Sequence, residues 1–437
     1  MADLKQLARR IFHETLAAID VPAVMNRNLR CEAGVLSLDK FAVDLAAFSR
    51  VCVVAIGKAA HAMVDGLAGI LPPTVPLQGV VCAPVAPAKP LADFRYFVGG
   101  HPTPNAESWR AAQSIVALLL GTDEHTLIFF LLSGGGSALV ELPLDSLQTL
   151  NDVQQLYRAL VTCGASIDEI NTIRKHLSAV KGGRLAAAAS AATKITLAVS
   201  DVPAGKESAL ASGPTVPDPT TISDFHRIVT EFRLSEKFSP ALQRWLAAGN
   251  PPETPKPGDP AFANAHFSLL LGVDDLFHPA HRAAEARGCI TCCDNSTDDW
   301  PVERAAENLL AQLDDLRQTH PNQRVALIAD GELSSPVTGT GLGGRNSAFV
   351  LACVEKIAGR RITVLSAGTD GMDGNSPAAG VVADGDSLAR AKALGLDPAA
   401  AFRNSDAYTF FARLDDAIVT GPTGTNLRDL RVLIAEP

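Results

Sequence analysis

No stretch of this 437-residue chain approaches the roughly 20 uninterrupted apolar residues that a membrane-spanning helix needs. The most apolar run, residues 126–132, has strand length and stops at a glycine loop. Charge of one sign is also scarce: 47 acidic against 38 basic residues leave a net charge of −9. So mild an acidity argues against nucleic acid and against an anionic membrane as partner, although a local cluster of cations could still hold a small anion. The signature of disorder is missing, since 47% of the residues are hydrophobic and 19% charged. The first residues do not read as a secretory leader, whose apolar stretch would not tolerate charges. Leu4, Leu7, Ile11, Phe12, Leu16 and Ile19 fall at helical spacing with charges between them, which predicts an amphipathic first helix and a cytoplasmic protein. Of eight cysteines, Cys289 and Cys292 form one C-x-x-C, but no second pair completes a zinc site. Cys52, Cys82 and Cys353 lie in apolar runs and read as small core residues. There is no internal repeat of 20–50 residues.

What is present is an α/β pattern. Short β-branched runs at 51–56, 80–83, 127–132, 195–200, 269–273, 325–329, 362–366, 417–420 and 432–435 alternate with helical segments such as 107–120, 185–192, 280–287, 302–316 and 386–394. Most of the runs are apolar at consecutive positions, as strands of a parallel sheet buried on both faces should be. Residues 248–260 carry five prolines and two glycines, and read as an extended spacer that ends one domain near residue 250 and opens another near 256. The expected domains are 1–250 and 256–437.

Ligands of open parallel sheets bind outside the carboxyl ends of the strands. Here those ends carry glycine beside charged or hydroxyl residues. The first strand runs into Gly57-Lys58, where an ammonium near a helix start opposes the macrodipole unless an anion shares it. The run 127–132 enters Ser133-Gly134-Gly135-Gly136-Ser137, a phosphate cradle in kind, although not the sequence of a nucleotide P-loop. Asp201, Glu332, Asp370 and Asp373 follow three further strands, as caps or turns on one reading and as oxygen ligands for Mg²⁺ on the other. The densest basic cluster, residues 171–184, would place Arg174, Leu177, Ser178 and Lys181 on one helical face, with Lys175 beside them. Gly339-Thr340-Gly341-Leu342-Gly343-Gly344 matches G-x-G-x-x-G literally, but it neither follows a strand at once nor has an acid about 20 residues on. Arg345, delivered by that loop, suits bidentate contact with phosphate or carboxylate.

In this order the segments 55–60, 133–139, 171–184, 200–203, 211–215, 343–346 and 368–374 resemble the motifs of the glycerate kinase family with a C-terminal MOFRL-type domain, some of whose members were labelled hydroxypyruvate reductases. His101-Pro102-Thr103-Pro104 and the segment 421–426 fit as well. The resemblance implies a Rossmann-like, mostly parallel N-terminal kinase domain, a smaller α/β domain, and an active site in the cleft between them. It implies transfer of a phosphoryl group from ATP, with Mg²⁺, to D-glycerate, giving 2-phosphoglycerate and ADP. Lys58 and Arg345 would be the catalytic cations and residues Ser133 to Ser137 the phosphate loop. His101, Arg174, Lys175, Lys181 and Asn426 would bind substrate, and Asp201, Glu332, Asp370 and Asp373 would hold the metal. A homodimer stays open. The chain departs from the family at Ala204-Gly205-Lys206, Ser347-Ala348 and Pro377, each beside an expected metal or nucleotide contact. Two other readings stand beside this one: a nicotinamide-dependent hydroxypyruvate reductase, and a non-catalytic sugar-phosphate binding module.

Overall fold

A computed structural model of the chain describes residues 2–39, 41–202, 205–249 and 251–437. It divides into two compact units, Val21–Gly272 and Met1–Asp20 with Val273–Pro437.

The first unit opens with a three-stranded antiparallel meander, β1 (Leu29–Glu32), β2 (Val35–Leu38) and β3 (Phe41–Asp44), which the sequence analysis does not anticipate. Its frame is a six-stranded sheet of β4 (Arg50–Ile56), β5 (Leu77–Ala83), β6 (Phe94–Val98), β7 (Thr126–Ser133), β8 (Thr193–Val199) and β9 (Ala265–Leu271). The order is β6-β5-β4-β7-β8-β9 and every pairing is parallel. Cys52, Val54 and Ile56 of β4 pack with Ile128, Phe130 and Leu132 of β7 under the helix Ala106–Leu120. The helix Ala60–Ile70 packs on the same strands. Burial on both faces explains why these strands read as unbroken apolar runs. From β4 the chain builds outward to β5 and β6, then returns to the other side of β4 as β7. The order therefore reverses between β4 and β7, the place where an open α/β sheet forms its ligand crevice.

The second unit has a mixed sheet of β10 (Cys289–Asp294), β11 (Arg324–Asp330), β12 (Ile362–Gly368), β13 (Gly380–Asp384), β14 (Ala417–Ile418) and β15 (Asp429–Ala435), in the order β10-β11-β15-β12-β13-β14. Only β10 and β11 pair in parallel; the remaining pairings are antiparallel. The apolar runs of β12 and β15 thus mark burial on both faces and carry no information about direction.

Two expected boundaries shift. The proline-rich stretch does not separate the units, because β9 beyond it pairs with β8. The stretch is pinned inside the first unit: the Asp218 N–H donates to the Pro255 carbonyl at 3.0 Å, and Glu253 meets His176 Nε2 at 3.2 Å. The first helix, Ala2–Ala18, belongs with the second unit. Leu4, Leu7, Ile11 and Phe12 are buried, as the pattern predicts, and Lys5 reaches Asp416 at 2.8 Å and Asp384 at 3.4 Å.

All eight cysteines are free, with Cys52, Cys82 and Cys353 in the core. Among the described residues no helix is long and apolar enough to cross a membrane.

Candidate functional site

Lys58 and the glycine loop lie at the topological switch of the first unit. Gly57 has φ +128°, and its missing Cβ lets it lie against the Ser133 carbonyl and hydroxyl. The Lys58 N–H donates to Gly134 O at 3.0 Å and the Ala59 N–H to Ser133 Oγ at 3.0 Å. These bonds tie the end of β4 to the end of β7. Ser133 is fully buried in that tie, so its hydroxyl staples two strands and is not presented to a phosphate. Gly135, at φ +83°, is where the side chains converge: a Cβ there would stand 3.3 Å from His101 Cδ2 and 3.6 Å from Lys58 Cγ. Lys58, His101 and the Gly134–Ser137 backbone are therefore brought together.

Behind them the segment 211–213 runs through three left-handed residues, Ala211, Ser212 and Gly213. Ser212 Oγ meets Ser137 Oγ at 2.7 Å and Asn171 Oδ1 at 3.2 Å. Asp201 sits half-buried after β8; Pro203 and Ala204, part of the segments singled out beside it, lie outside the described residues.

The basic cluster corrects the sequence reading. The helix Ile167–Leu177 stops at Leu177 and Ser178 is extended, so Lys181 does not share a helical face with Arg174. Lys175 and Lys181 are 3% and 1% exposed. Lys175 pairs with Asp218 at 3.1 Å; Lys181 pairs with Glu141 at 2.9 Å and donates to Val140 O at 3.0 Å. Burial pulls the Lys181 pKa down against the opposing charge of Glu141. Both lysines are structural cations. Arg174, half-buried, remains beside the site with its guanidinium 4.5 Å above the Tyr157 ring. Glu141 and Tyr157 had no signal of their own: Tyr157 Oη contacts both Ser137 O at 2.7 Å and Glu141 Oε2 at 2.6 Å, linking the buried charges to the glycine loop.

In the second unit, antiparallel pairing gathers the remaining residues. Because β15 runs against β11 and β12, its first residues stand beside their last ones: Leu430 is opposite Asp330, and Asp429 is opposite Gly368. Asp429, which the sequence reading did not single out, is 3% exposed and receives Arg345 Nε at 2.5 Å. Arg345 Nη1 donates to Glu332 Oε2 at 2.8 Å. Burial would lower the pKa of Arg345, but Asp429 and Glu332 outweigh it and raise it. A Cβ on Gly368 would lie 3.1 Å from Asp370 Oδ1 and 3.3 Å from Asp429 Oδ1. Asn426 is 7% exposed in the loop leading into β15.

Asp373 takes another part. Its oxygens accept the N–H groups of Gly344, Asn346 and Ser347 at 2.9–3.0 Å, capping the helix Arg345–Val354. It positions the loop that presents Arg345 and, at 2% exposed, is spent on that loop. The glycine-rich loop does not adopt the dinucleotide pattern either, since residues 331–338 intervene between β11 and Gly339.

Asp330, the last residue of β11, is 1% exposed, and its Oδ1 has no partner among the described residues. Burial pushes its pKa up to about 6, against Arg428 and Arg431 and with help from Asp298 and Asp274. The folded state thus holds a proton that the unfolded chain releases near 3.9, so stability falls as the pH rises from about 4 to 6. Asp330→Asn should remove a penalty on the order of 2 kcal/mol above pH 6. Thermal unfolding should show the variant several degrees more stable at pH 8 and level with the parent at pH 4; an equal gain at both pH values would refute the buried-charge account.

A family model described as Domain of unknown function (DUF4147) matches residues 7–247, and the MOFRL family model matches 325–429. A D-glycerate 2-kinase from Thermotoga maritima is 34% identical over 385 residues, 87% of this chain and 89% of the relative. A glycerate 2-kinase from Pyrococcus horikoshii is 30% identical over 439 residues, 99% of this chain and 97% of the relative. Two Agrobacterium vitis relatives, 34% and 36% identical, bear hydroxypyruvate reductase as a provisional name. Among solved structures, a Thermotoga maritima glycerate kinase superposes with a TM-score of 0.83 at 31% identity, covering 100% of both chains.

Proposed function

The chain belongs to the glycerate kinase family with a C-terminal MOFRL domain, and on that footing we propose that it transfers the γ-phosphoryl group of ATP to D-glycerate, giving 2-phosphoglycerate and ADP. The observation that carries this is the likeness to relatives named glycerate 2-kinase along nearly the whole chain. The transferring phosphoryl group has a loose transition state with charge spread over its oxygens, so the protein's work is positioning and neutralisation. Lys58 and Arg345 stabilise that charge, each by a few kcal/mol in order of magnitude. Arg345 arrives pre-oriented by Asp429 and Glu332, and Gly134–Ser137 offers backbone N–H groups to phosphate oxygens. His101 and Arg174, near the glycine loop, and Asn426, in the loop before β15, are the substrate-binding candidates.

Magnesium, when bound, would offset the negative charge of the phosphates in such a reaction, and one or two carboxylates would hold it together with the nucleotide. Among the described residues no three His, Cys, Asp or Glu side chains are grouped to hold an ion by themselves. The donors that fit are the oxygens of Asp370 and Asp429 beside Gly368, with Glu332 and Asp201 as further candidates.

Incubation with ATP, Mg²⁺ and D-glycerate should yield 2-phosphoglycerate by NMR, stop on addition of EDTA and resume with excess Mg²⁺. Asp370→Asn should raise the Mg²⁺ concentration for half-activity. Formation of 3-phosphoglycerate would overturn the assignment of the oxygen, and activity untouched by EDTA would overturn the metal.

A further inference from the structure

A cavity of about 160 Å³ opens in the second unit beside the loop that delivers Arg345. Val302, Pro336, Val337, Ala348, Phe402 and Ala407 supply apolar walls, and Ser335, Thr338 and Ser405 add hydroxyls. Its shape is held from both sides. The Thr338 N–H donates to Ser405 Oγ at 3.0 Å, and the Thr338 hydroxyl donates to Arg403 O at 2.8 Å. Gly341 and Gly339 press directly on residues 404–406, where no Cβ would fit. The rim is apolar and open to solvent: Val337 is 83% exposed.

Charge decides what the cavity can take. Among the described residues that line it, Glu303 is charged and there is no cation. Phosphate and carboxylate guests are therefore disfavoured, while a neutral flat ring among apolar walls is favoured. The location narrows the choice. Gly343 and Gly344 line the cavity and the next residue is Arg345; Ala348 lies one helical turn from Arg345 on the same face. A guest with a neutral ring at one end and anionic groups at the other would span the cavity and the guanidinium.

We propose that this cavity receives the base of the nucleoside triphosphate donor, with the phosphates leading over Gly343-Gly344 toward Arg345. The assignment rests on the kinase reading, since that reading supplies the donor. Phe402 and Val337 cover the ring faces, and the hydroxyls of Ser335 and Ser405 meet the ring nitrogens.

Irradiation of the full-length enzyme with 8-azido-ATP, followed by peptide mapping, should place the label within residues 302–303, 335–344 or 402–407, and excess adenosine should suppress it. Ala348→Leu, which fills the cavity, should raise KM for ATP at least about tenfold and leave KM for D-glycerate unchanged. Val337→Asp, at an exposed position that tolerates the change, should act in the same direction. A label confined to other segments, or two folded variants with the parent's KM for ATP, would overturn the base site while leaving the kinase reading intact. If the parent enzyme forms no phosphorylated product with any nucleotide, the kinase reading fails, and the position of the label still decides whether a base binds here.

Discussion

Replacing Arg345 by alanine should lower kcat/KM for D-glycerate phosphorylation by at least about 100-fold, the scale of losing one charge contact made in the transition state. The variant has a second consequence. Asp429 is 3% exposed and would lose the guanidinium that now lies 2.5 Å away. Stranding a buried charge costs about 3–5 kcal/mol, enough to confuse an activity loss with unfolding. Arg345→Lys separates the two effects. It leaves a cation near Asp429, so the melting temperature should fall little, but it removes the fork that meets Glu332 and Asp429 together, so kcat should still fall strongly. Lys58→Ala should cost a similar factor without the stability loss, because Lys58 is only half-buried. Either alanine variant with near-parent kcat/KM and an intact fold would remove that residue from the chemistry.

The largest effect on stability is expected at Glu141→Ala. Glu141 is 5% exposed and accepts from Tyr157 Oη at 2.6 Å, Ser178 Oγ at 2.6 Å and Lys181 Nζ at 2.9 Å. Removing the carboxylate leaves the Lys181 ammonium, 1% exposed, without its counter-charge. The loss should reach about 3–5 kcal/mol. In a unit of this size that corresponds to a fall in melting temperature on the order of 10 °C. Glu141→Gln combined with Lys181→Met removes both charges and should recover much of the stability. A melting temperature within about a degree of the parent's, combined with a large rise in KM for D-glycerate, would return Lys181 to the substrate site.

Glu141 and Asp429 also show where a reading of sequence stops. Each lies in an ordinary local context, Val140-Glu141-Leu142 and Arg428-Asp429-Leu430, with no motif around it. Asp429 had one faint signal, an acid opening a strand whose remaining residues are buried. Its importance comes from antiparallel pairing with β12, which sets it opposite Gly368 across 61 residues of chain. Lys175 and Lys181 erred the other way: their type and spacing promised anion binding, but Asp218 and Glu141, distant in sequence, neutralise them in the interior.

The amino-acid sequence by itself determined the α/β class, the positions of most central strands, the amphipathic first helix, and the loops 57–58, 133–137 and 343–345. Those features follow from local causes: apolar periodicity for the elements, and glycine at places where the backbone turns left-handed or another chain segment comes close. Tertiary structure alone decided the rest. The reversal of strand order between β4 and β7 put Lys58 and the glycine loop at one crevice. The strand β9 claimed the proline-rich stretch for the first unit, and the apolar face of Ala2–Ala18 joined the chain's start to the second. Pairing between distant strands chose which carboxylates face Arg345, and burial chose which lysines became part of the frame. These outcomes depend on contacts between residues far apart in sequence, which no local spacing records.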